Sequence, residues 1–192
     1  DYATTASSST ATASSDYTAA SGTLTFPAGD TTKTFTVAVL ADTVYETGNE
    51  TVTITLSNAT NATISDATGI LTITDDDNAP TVTLASSASS VAENGSDLTL
   101  TATLSNATTA AVTVGISTSG TGTEGTDYAT VSNITISAGA TTGTAAFNPT
   151  DDSVYEGDET GIIAIDTVSG GGATENSTPQ AVTLTISENE SA

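Results

Sequence analysis

Residues 98–104 read Leu-Thr-Leu-Thr-Ala-Thr-Leu, an unbroken alternation of apolar and hydroxyl side chains. Because successive side chains of a β-strand point to opposite faces, this stretch predicts a strand with one face in a core and the other in water. The same alternation recurs elsewhere, for example at Val52, Ile54 and Leu56, and at Val182, Leu184 and Ile186. Short strands about every 8–12 residues, with Gly and Asn in the turns between them, predict an all-β fold of antiparallel sandwiches.

Motifs of the first half of the chain return about 110 residues later. Asp16-Tyr17 matches Asp127-Tyr128, Val44-Tyr45-Glu46 matches Val154-Tyr155-Glu156, and Asp75-Asp76-Asp77 matches Glu188-Asn189-Glu190. A repeat of this length corresponds to a whole domain and not to one unit of a solenoid. We therefore expect two tandem domains, residues 1–78 and residues 79–192, of which the first is incomplete.

The composition restricts the functions that the chain can have. Its 192 residues hold 23 acidic side chains and a single basic one, Lys33, so the surface should repel nucleic acid and anionic membranes and attract divalent cations. The chain contains no Cys and no His, which removes disulfides and the Ser-His-Asp and Cys-His catalytic arrangements. A two-carboxylate glycosidase is compatible with the residue types, but few aromatic residues are present to bind a sugar. We expect no enzymatic activity.

The order of the predicted strands gathers the acidic residues. Strands are predicted in pairs between the acidic loops, at roughly 22–26 and 33–40 and at roughly 51–57 and 68–74. A chain that runs up one strand and down the next returns to the end of the sandwich from which it started. Asp16, the loop 42–50 and residues 75–77 should therefore lie at the same end, or pole, of the first domain. The same argument gathers the acidic residues of the second domain: Glu93, Asp127, the loop 151–159 and residues 188–190.

These acidic poles predict bound Ca²⁺. Two like charges about 4 Å apart repel by about 4 kcal/mol at an effective dielectric constant near 20, so several such pairs need a cation between them. Calcium accepts six to eight oxygen ligands, whereas magnesium prefers to keep its water and zinc prefers His and Cys. The alternative is that the loops are only a solvated acidic surface. Asn189 replaces the middle acid of the second copy, so weaker binding is expected there.

Three stretches, residues 1–37, 42–77 and 91–108, resemble Calx-β domains, through their Asp-Tyr, Tyr-Glu-x-Gly-x-Glu and terminal Asp-Asp-Asp motifs. The resemblance implies tandem immunoglobulin-like antiparallel β-sandwiches, as in sodium–calcium exchangers, integrin β4 and large bacterial surface proteins. It also implies calcium ligands in both repeats: Asp16, Asp42, Glu46, Glu50, Asp75, Asp76 and Asp77 in the first, and Glu93, Asp127, Asp152, Glu156, Glu159, Glu188 and Glu190 in the second.

In this comparison residues 1–6 match the third strand of the family fold, as residues 112–117 do in the second repeat. The first repeat therefore lacks its first two strands within this chain. We expect either upstream sequence or a neighbouring chain to supply them, the latter by donor-strand complementation. The expected partners are neighbouring repeats or identical chains, with no nucleic acid and no membrane insertion.

Eight of the ten Asn residues lie in Asn-x-Ser/Thr sequons, which indicates N-glycosylation and an extracellular or cell-surface protein. Asn189 lies inside the second calcium site, where a glycan would argue against bound calcium. The glycosylation candidates are the other seven: Asn49, Asn58, Asn61, Asn94, Asn106, Asn133 and Asn176. The alternative is that Ser-Asn-Ala-Thr is simply a favoured turn sequence.

The functional hypothesis is an extracellular, calcium-stabilised structural or adhesion module, a rod-like spacer or fibre segment of a larger or polymerised surface protein. The alternative is a calcium-sensing regulatory domain that acts on a neighbouring module. The lack of Cys and the excess of sequons disfavour a cytosolic setting for that alternative.

Overall fold

The computed structural model describes residues 1–177 and 180–191. It contains two compact units: Asp1–Asp42 with Gly48–Asp76, and Thr43–Thr47 with Asp77–Ala192. The regular elements of the described residues are β-strands, apart from one 3₁₀ turn at Ala6–Ser8, so the predicted all-β class is confirmed. Within these residues, no helix has the length and apolar character that a membrane span requires.

The first unit contains one four-stranded antiparallel sheet in the order β2-β1-β3-β4. Its strands are β1 (Tyr2–Thr5), β2 (Ser21–Gly22), β3 (Glu50–Leu56) and β4 (Thr68–Ile73). The core is small, because among the described residues its buried apolar cluster contains Ala11, Tyr17 and Val52 alone. Half-buried side chains pack around these three: Ala13, Val37, Leu71 and Ile73.

The prediction of strands at 22–26 and 33–40 was largely wrong. Only Ser21–Gly22 is a strand here, and Val39 forms an isolated bridge with Tyr17. The alternating side chains of these stretches suit a sheet, but a strand also needs a neighbour that accepts and donates backbone hydrogen bonds. In the described part of the first unit, residues 32–37 have no such neighbour.

The second unit is a complete sandwich of two sheets, ordered β10-β7-β5-β12 and β6-β13-β11-β8-β9. The first sheet is formed by β5 (Thr81–Ser86), β7 (Leu98–Leu104), β10 (Thr142–Phe147) and β12 (Thr174–Glu175). The second is formed by β6 (Ser90–Ala92), β8 (Val112–Gly120), β9 (Ile134–Ile136), β11 (Glu159–Ser169) and β13 (Ala181–Ser187). The pairs β5–β12 and β6–β13 are parallel, and the other pairs are antiparallel.

The core of the second unit lies between these sheets. Every second residue of β7 faces it, since Leu98, Leu100, Ala102 and Leu104 are buried and Thr99 and Thr103 are exposed. The rings of Tyr128 and Phe147 stack in this core with their centroids 4.8 Å apart. Residues 98–104 therefore form a strand with one buried face, and the prediction from their strict alternation is confirmed.

The Asp-Tyr motif forms the same turn in both units. Asp16 accepts a hydrogen bond from the backbone N–H of Thr12 (2.5 Å), and Asp127 accepts one from Thr123 (2.6 Å). The following residues, Tyr17 and Tyr128, are each 1% exposed and anchor the turn in the core. The aspartate thus fixes the loop locally while the tyrosine supplies the apolar anchor.

The segment Thr43–Thr47 belongs to the second unit, where it is held by backbone pairing. Tyr45 donates its backbone N–H to the carbonyl of Ala107 (2.9 Å) and accepts from Thr109 (3.2 Å). The Tyr45 ring lies against Gly172, where an added Cβ would come within 2.5 Å of it and where φ is +66°. Both the close approach and the backbone conformation explain why glycine occupies this position.

Candidate metal centre

The strand register of the second unit brings the C-terminal acidic residues beside Glu93. Strand β6 runs parallel to β13, with Ala92 opposite Ser187, so the residues that follow the two strands are neighbours. The backbone N–H of Glu93 donates to the carbonyl of Ser187 (3.1 Å) and extends this ladder by one bond. Glu93 and Glu188 are therefore placed together by backbone pairing and not by side-chain contacts alone.

Strand β11 joins the other acidic residues to the same end of the sheet. Its first residue, Glu159, pairs with Ile186 near the end of β13, and Gly161 pairs with Gly120 at the end of β8. The turn that follows β8 carries Asp127. Glu159 consequently lies beside both Asp127 and the end of β13.

Two acidic clusters result, and within each cluster the three side chains offer carboxylate oxygens within 4.8 Å of one another. One cluster contains Glu93, Glu188 and Glu190, and the other contains Asp127, Glu156 and Glu159. Glu93 is only 5% exposed and Asp127 only 6% exposed. Carboxylates almost never reach this degree of burial unless they are paired with a cation or a hydrogen-bond donor.

Glu188 is held as an anion by backbone donors. One oxygen accepts from the N–H groups of Glu156 (2.6 Å) and Gly157 (2.9 Å), and the other accepts from Asn189 (2.9 Å) and Glu190 (3.0 Å). These bonds, above all the one from Glu190, lower the pKa of Glu188 to about 2. The ionised side chain ties the loop before β11 to the end of β13.

The pKa values of three surrounding carboxyl groups are raised instead. The side-chain hydrogen bond to Glu188, then burial and the nearby anions, raise the pKa of Glu190 to about 7. Burial, followed by the charges of Glu188 and Asp152, raises the pKa of Glu93. Burial and the proximity of Asp127 raise the pKa of Glu159. The site therefore resists carrying all of its negative charges at once.

Three of these carboxyl groups also contain a buried oxygen for which the described residues provide no hydrogen-bond donor. The atoms are Oε2 of Glu93, Oε2 of Glu159 and Oε2 of Glu190. Burial of an acceptor without a partner carries a free-energy cost, which is larger when the group is charged. These three oxygens are the atoms that a bound cation would satisfy.

The first unit brings two of its predicted ligands together, since Asp16 and Glu50 have carboxylate oxygens within 4.8 Å of each other. Glu46 lies in the segment Thr43–Thr47 of the second unit, and its role as a ligand stays a prediction. Among the described residues, the remaining candidates lie outside such three-membered clusters: Asp42, Asp75, Asp76, Asp77 and Asp152. Asp75 and Asp77 are half-buried whereas Asp76 is exposed, the alternation expected of an extended segment.

Two residues that position the site were not singled out from the sequence. Asp158 accepts the backbone N–H of Glu188 (3.0 Å), and Gly157, with φ of +83°, turns its N–H toward the Glu188 side chain. The sequence Glu156-Gly157-Asp158 contains the glycine that a tight turn requires, and this signal could have identified them. Asn189, predicted as a lost ligand, donates its side-chain amide to Asp151 (3.1 Å).

Known proteins provide an independent comparison. The family model of the Calx-beta domain matches the chain twice, over residues 2–77 and 75–190. A search of curated protein sequences finds no match.

Among solved structures, the chain is similar to the apo-form Calx CBD1 domain, with 20% identity over 57% of this chain and 98% of that one and a TM-score of 0.48. It is also similar to CBD12 from CALX1.2, with 22% identity, coverage of 52% and 41%, and a TM-score of 0.45. For the calcium binding domain CBD12 of CALX1.1 the identity is 20%, the coverage is 87% and 66%, and the TM-score is 0.37. Since the family model accounts for nearly the whole chain, the chain belongs to the Calx-beta family and carries two of its domains in tandem.

Proposed function

We propose that this chain is a calcium-binding module and that its acidic clusters hold the ions. The observation that carries the proposal is the burial of Glu93 and Asp127, each next to two further carboxylates, in a chain with one basic residue. Family membership supports it, and a similar solved structure is described as a calcium binding domain.

The donor set suits calcium. All the converging side-chain atoms are carboxylate oxygens, the ligands that calcium prefers, and the chain has none of the His or Cys that zinc requires. Glu93, Glu188 and Glu190 would hold one ion, and Asp127, Glu156 and Glu159 another. Bound calcium would supply the missing positive charge and coordinate the oxygens that lack a donor.

In this proposal the role of calcium is structural. The ends of β6, β11 and β13 converge on the clusters, so an ion would link strands that are distant in the sequence and oppose their separation. We propose an extracellular or cell-surface setting, in which the chain is a spacer, fibre segment or adhesion module of a larger protein. Extracellular calcium modules need dissociation constants of only about 0.1–1 mM.

N-glycosylation is part of the same proposal. Six of the seven candidate Asn side chains are exposed, and Asn106 is half-buried. Three of the exposed Asn residues also have a local structural role, and this favours the alternative that they were selected for the backbone conformation and not for glycosylation. Asn58 and Asn61 adopt positive φ, and Asn133 accepts the backbone N–H of Ile116 (3.1 Å).

A calcium titration of thermal unfolding tests the proposal. We expect calcium, at a hundredfold excess over its dissociation constant, to stabilise the second unit by about 2.7 kcal/mol per site, with little effect of magnesium. E93Q should remove most of the gain from the site of Glu93, Glu188 and Glu190 and leave that of the other site, whereas D166N, which changes an exposed acid outside the clusters, should retain both. Equal melting temperatures in calcium and in chelator would contradict the proposal.

The same titration separates the structural role from the sensor. A structural module should respond only at about 0.1–1 mM calcium, whereas a sensor should respond at about 10⁻⁷–10⁻⁵ M. Saturation in the lower range would replace the structural proposal with the regulatory one.

A further inference from the structure

Asn94 is followed by Gly95, and this is the only Asn-Gly pair in the 192-residue sequence. The side-chain carboxamide of Asn can be attacked by the backbone nitrogen of the next residue, which closes a succinimide ring and releases ammonia. Glycine hinders this attack least, because it has no Cβ. The other nine Asn residues are followed by Ala, Glu, Ile, Pro or Ser, so Asn94 has the most reactive sequence context.

The structure also leaves the Asn94 side chain accessible. It is exposed in the turn that joins β6 to β7, and no other described residue forms a hydrogen bond with its carboxamide. Other Asn side chains are held in place. Asn148 donates to Asp97 (2.6 Å), and Asn106 donates to the carbonyl of Asn78 (2.9 Å). Such bonds oppose the rotation that brings the carboxamide carbon to the next backbone nitrogen, and Asn94 lacks this restraint.

The turn itself restrains the attacking nitrogen. Gly95 donates its N–H to the carbonyl of Ala92 (2.8 Å), the hydrogen bond that closes a β-turn, and this bond must break before the nitrogen can reach Asn94. An added Cβ at Gly95 would lie 2.8 Å from both the Ala92 oxygen and Cγ2 of Val91. The turn therefore needs glycine at the position that makes Asn94 reactive. A surface turn can open without unfolding of the sandwich, so the reaction is open to the folded protein.

We propose that Asn94 is a site of spontaneous deamidation in the folded protein. The backbone nitrogen of Gly95 forms a bond to Cγ of Asn94, the Cγ–Nδ2 bond breaks, and ammonia leaves with the proton from the Gly95 nitrogen. Water then opens the succinimide at either of its two carbonyl carbons. One product is aspartate, and the other is isoaspartate, in which the backbone runs through the side chain. Water is the only co-reactant, and no enzyme, metal or oxidant takes part.

Both products change the acidic end of the second unit. Each adds a negative charge directly after Glu93, whose side chain is only 5% exposed. Isoaspartate also lengthens the backbone between Ala92 and Gly95 by one methylene group, so the turn can no longer keep its hydrogen bond in the same geometry. The modified chain should therefore be less stable than the fresh chain in chelator, because one more anion lies at an end that is already rich in them. The reaction itself does not depend on bound calcium.

Incubation of the folded, unglycosylated chain at neutral pH tests the proposal. Samples are cleaved with an acid-specific protease, and mass spectrometry follows deamidation at each Asn, with isoaspartate measured by enzymatic methylation. We expect Asn94 to react at least about tenfold faster than every other Asn, since its carboxamide is unrestrained and glycine follows it. Asn58 and Asn61 are internal controls, because both are exposed and followed by Ala. A rate at Asn94 no higher than theirs would overturn the proposal.

The dependence on urea shows whether the folded protein is the reactant. If the turn opens locally, the rate at Asn94 should stay nearly constant at urea concentrations below the unfolding transition. A rate that rises in proportion to the unfolded fraction would overturn the proposal.

N94Q is the matched variant, because it keeps an exposed carboxamide but requires closure of a larger ring. It should retain the melting temperature of the unmodified chain and lose the acidic species that ion-exchange chromatography separates from aged protein. Persistence of that species in N94Q would place the modification at another residue and would also overturn the proposal.

Discussion

The two units build the same Asp-Tyr turn on very different cores. Asp16 and Asp127 accept equivalent backbone hydrogen bonds, and Tyr17 and Tyr128 are equally buried. Among the described residues, however, the buried apolar cluster of the second unit has eighteen members and that of the first has three. The comparison teaches that the turn is specified locally, by a carboxylate and a backbone N–H four residues apart, while strand formation depends on a neighbouring strand.

Aromatic packing differs in a related way. In the second unit Phe147 stacks on Tyr128 inside the core, whereas the matching position of the first unit is the half-buried Val37. There the ring of Phe35 stacks on Tyr2 instead, with centroids 4.0 Å apart and both side chains half-buried. A stack of this kind covers part of the apolar surface that a second sheet would otherwise cover.

The largest expected effect is the loss of stability when a core side chain is truncated, and it should differ between the two units. F147A should destabilise the second unit by about 3–5 kcal/mol, because it removes a fully buried ring from a packed interior. V37A, at the matching position, should destabilise the first unit by less than about 1 kcal/mol, because a half-buried side chain loses little packing. Denaturant unfolding followed by hydrogen exchange of each unit measures both values. Equal losses would show that the first unit has a core as complete as the second.

An intermediate effect is a pH dependence of the second unit without calcium. Because the folded-state pKa of Glu190 is about 7 and its ordinary value is 4.5, protonation of this residue stabilises the folded state at low pH. Stability should therefore fall as the pH rises from about 4.5 to about 7, and the raised pKa values of Glu93 and Glu159 act in the same direction.

Melting temperatures in chelator between pH 4.5 and pH 7.5 measure this decline, and E190Q should reduce it. Saturating calcium should restore stability at neutral pH, since the ion replaces the protons. The lowered pKa of Glu188 acts in the opposite direction, but only as the pH falls from 4.5 toward about 2. Stability that stays constant or increases between pH 4.5 and pH 7 in chelator would contradict the raised pKa values of the clustered carboxyl groups.

The smallest expected effect concerns the turn that the units share. Ser14 has φ of +76° where the second unit has Gly125 with φ of +88°. S14G should stabilise the first unit by less than about 1 kcal/mol, because relief of backbone strain is partly offset by the greater freedom of glycine in the unfolded chain. The reciprocal change, G125S, should destabilise the second unit by about 1 kcal/mol. Effects of the same sign in both units would refute the equivalence of the two turns.

Much of the second unit could be predicted from its sequence, because its alternating stretches have neighbours with which to pair. Residues 98–104 show this directly: the residues predicted to face the core are buried. Residues 33–40 alternate just as clearly, but in the described chain their backbone pairing is limited to the bridge between Val39 and Tyr17, and they form no regular strand. Side-chain periodicity identifies the face that a strand would bury, and it contains no information about the strand beside it.

The sequence predicted that several acidic residues would lie together, but it did not predict their electrostatics, and their role as ligands stays a prediction. The order of the predicted strands places Glu93, Asp127 and Glu188 at one end of the second unit. It could not show that Glu188 accepts four backbone N–H groups while Glu93 is buried with an unsatisfied oxygen. These differences depend on the turn at Gly157 and on the parallel pairing of β6 with β13. The glycine signals the turn, but local sequence does not encode which strand pairs with β6.

A crystal structure of the chain grown with millimolar calcium tests the central claim most directly. We expect two calcium ions in the second unit, one bound by Glu93, Glu188 and Glu190 and the other by Asp127, Glu156 and Glu159. The metal–oxygen distances should be about 2.3–2.6 Å. The central claim would be contradicted if both clusters contained only water at saturating calcium, with their buried carboxyl groups protonated instead.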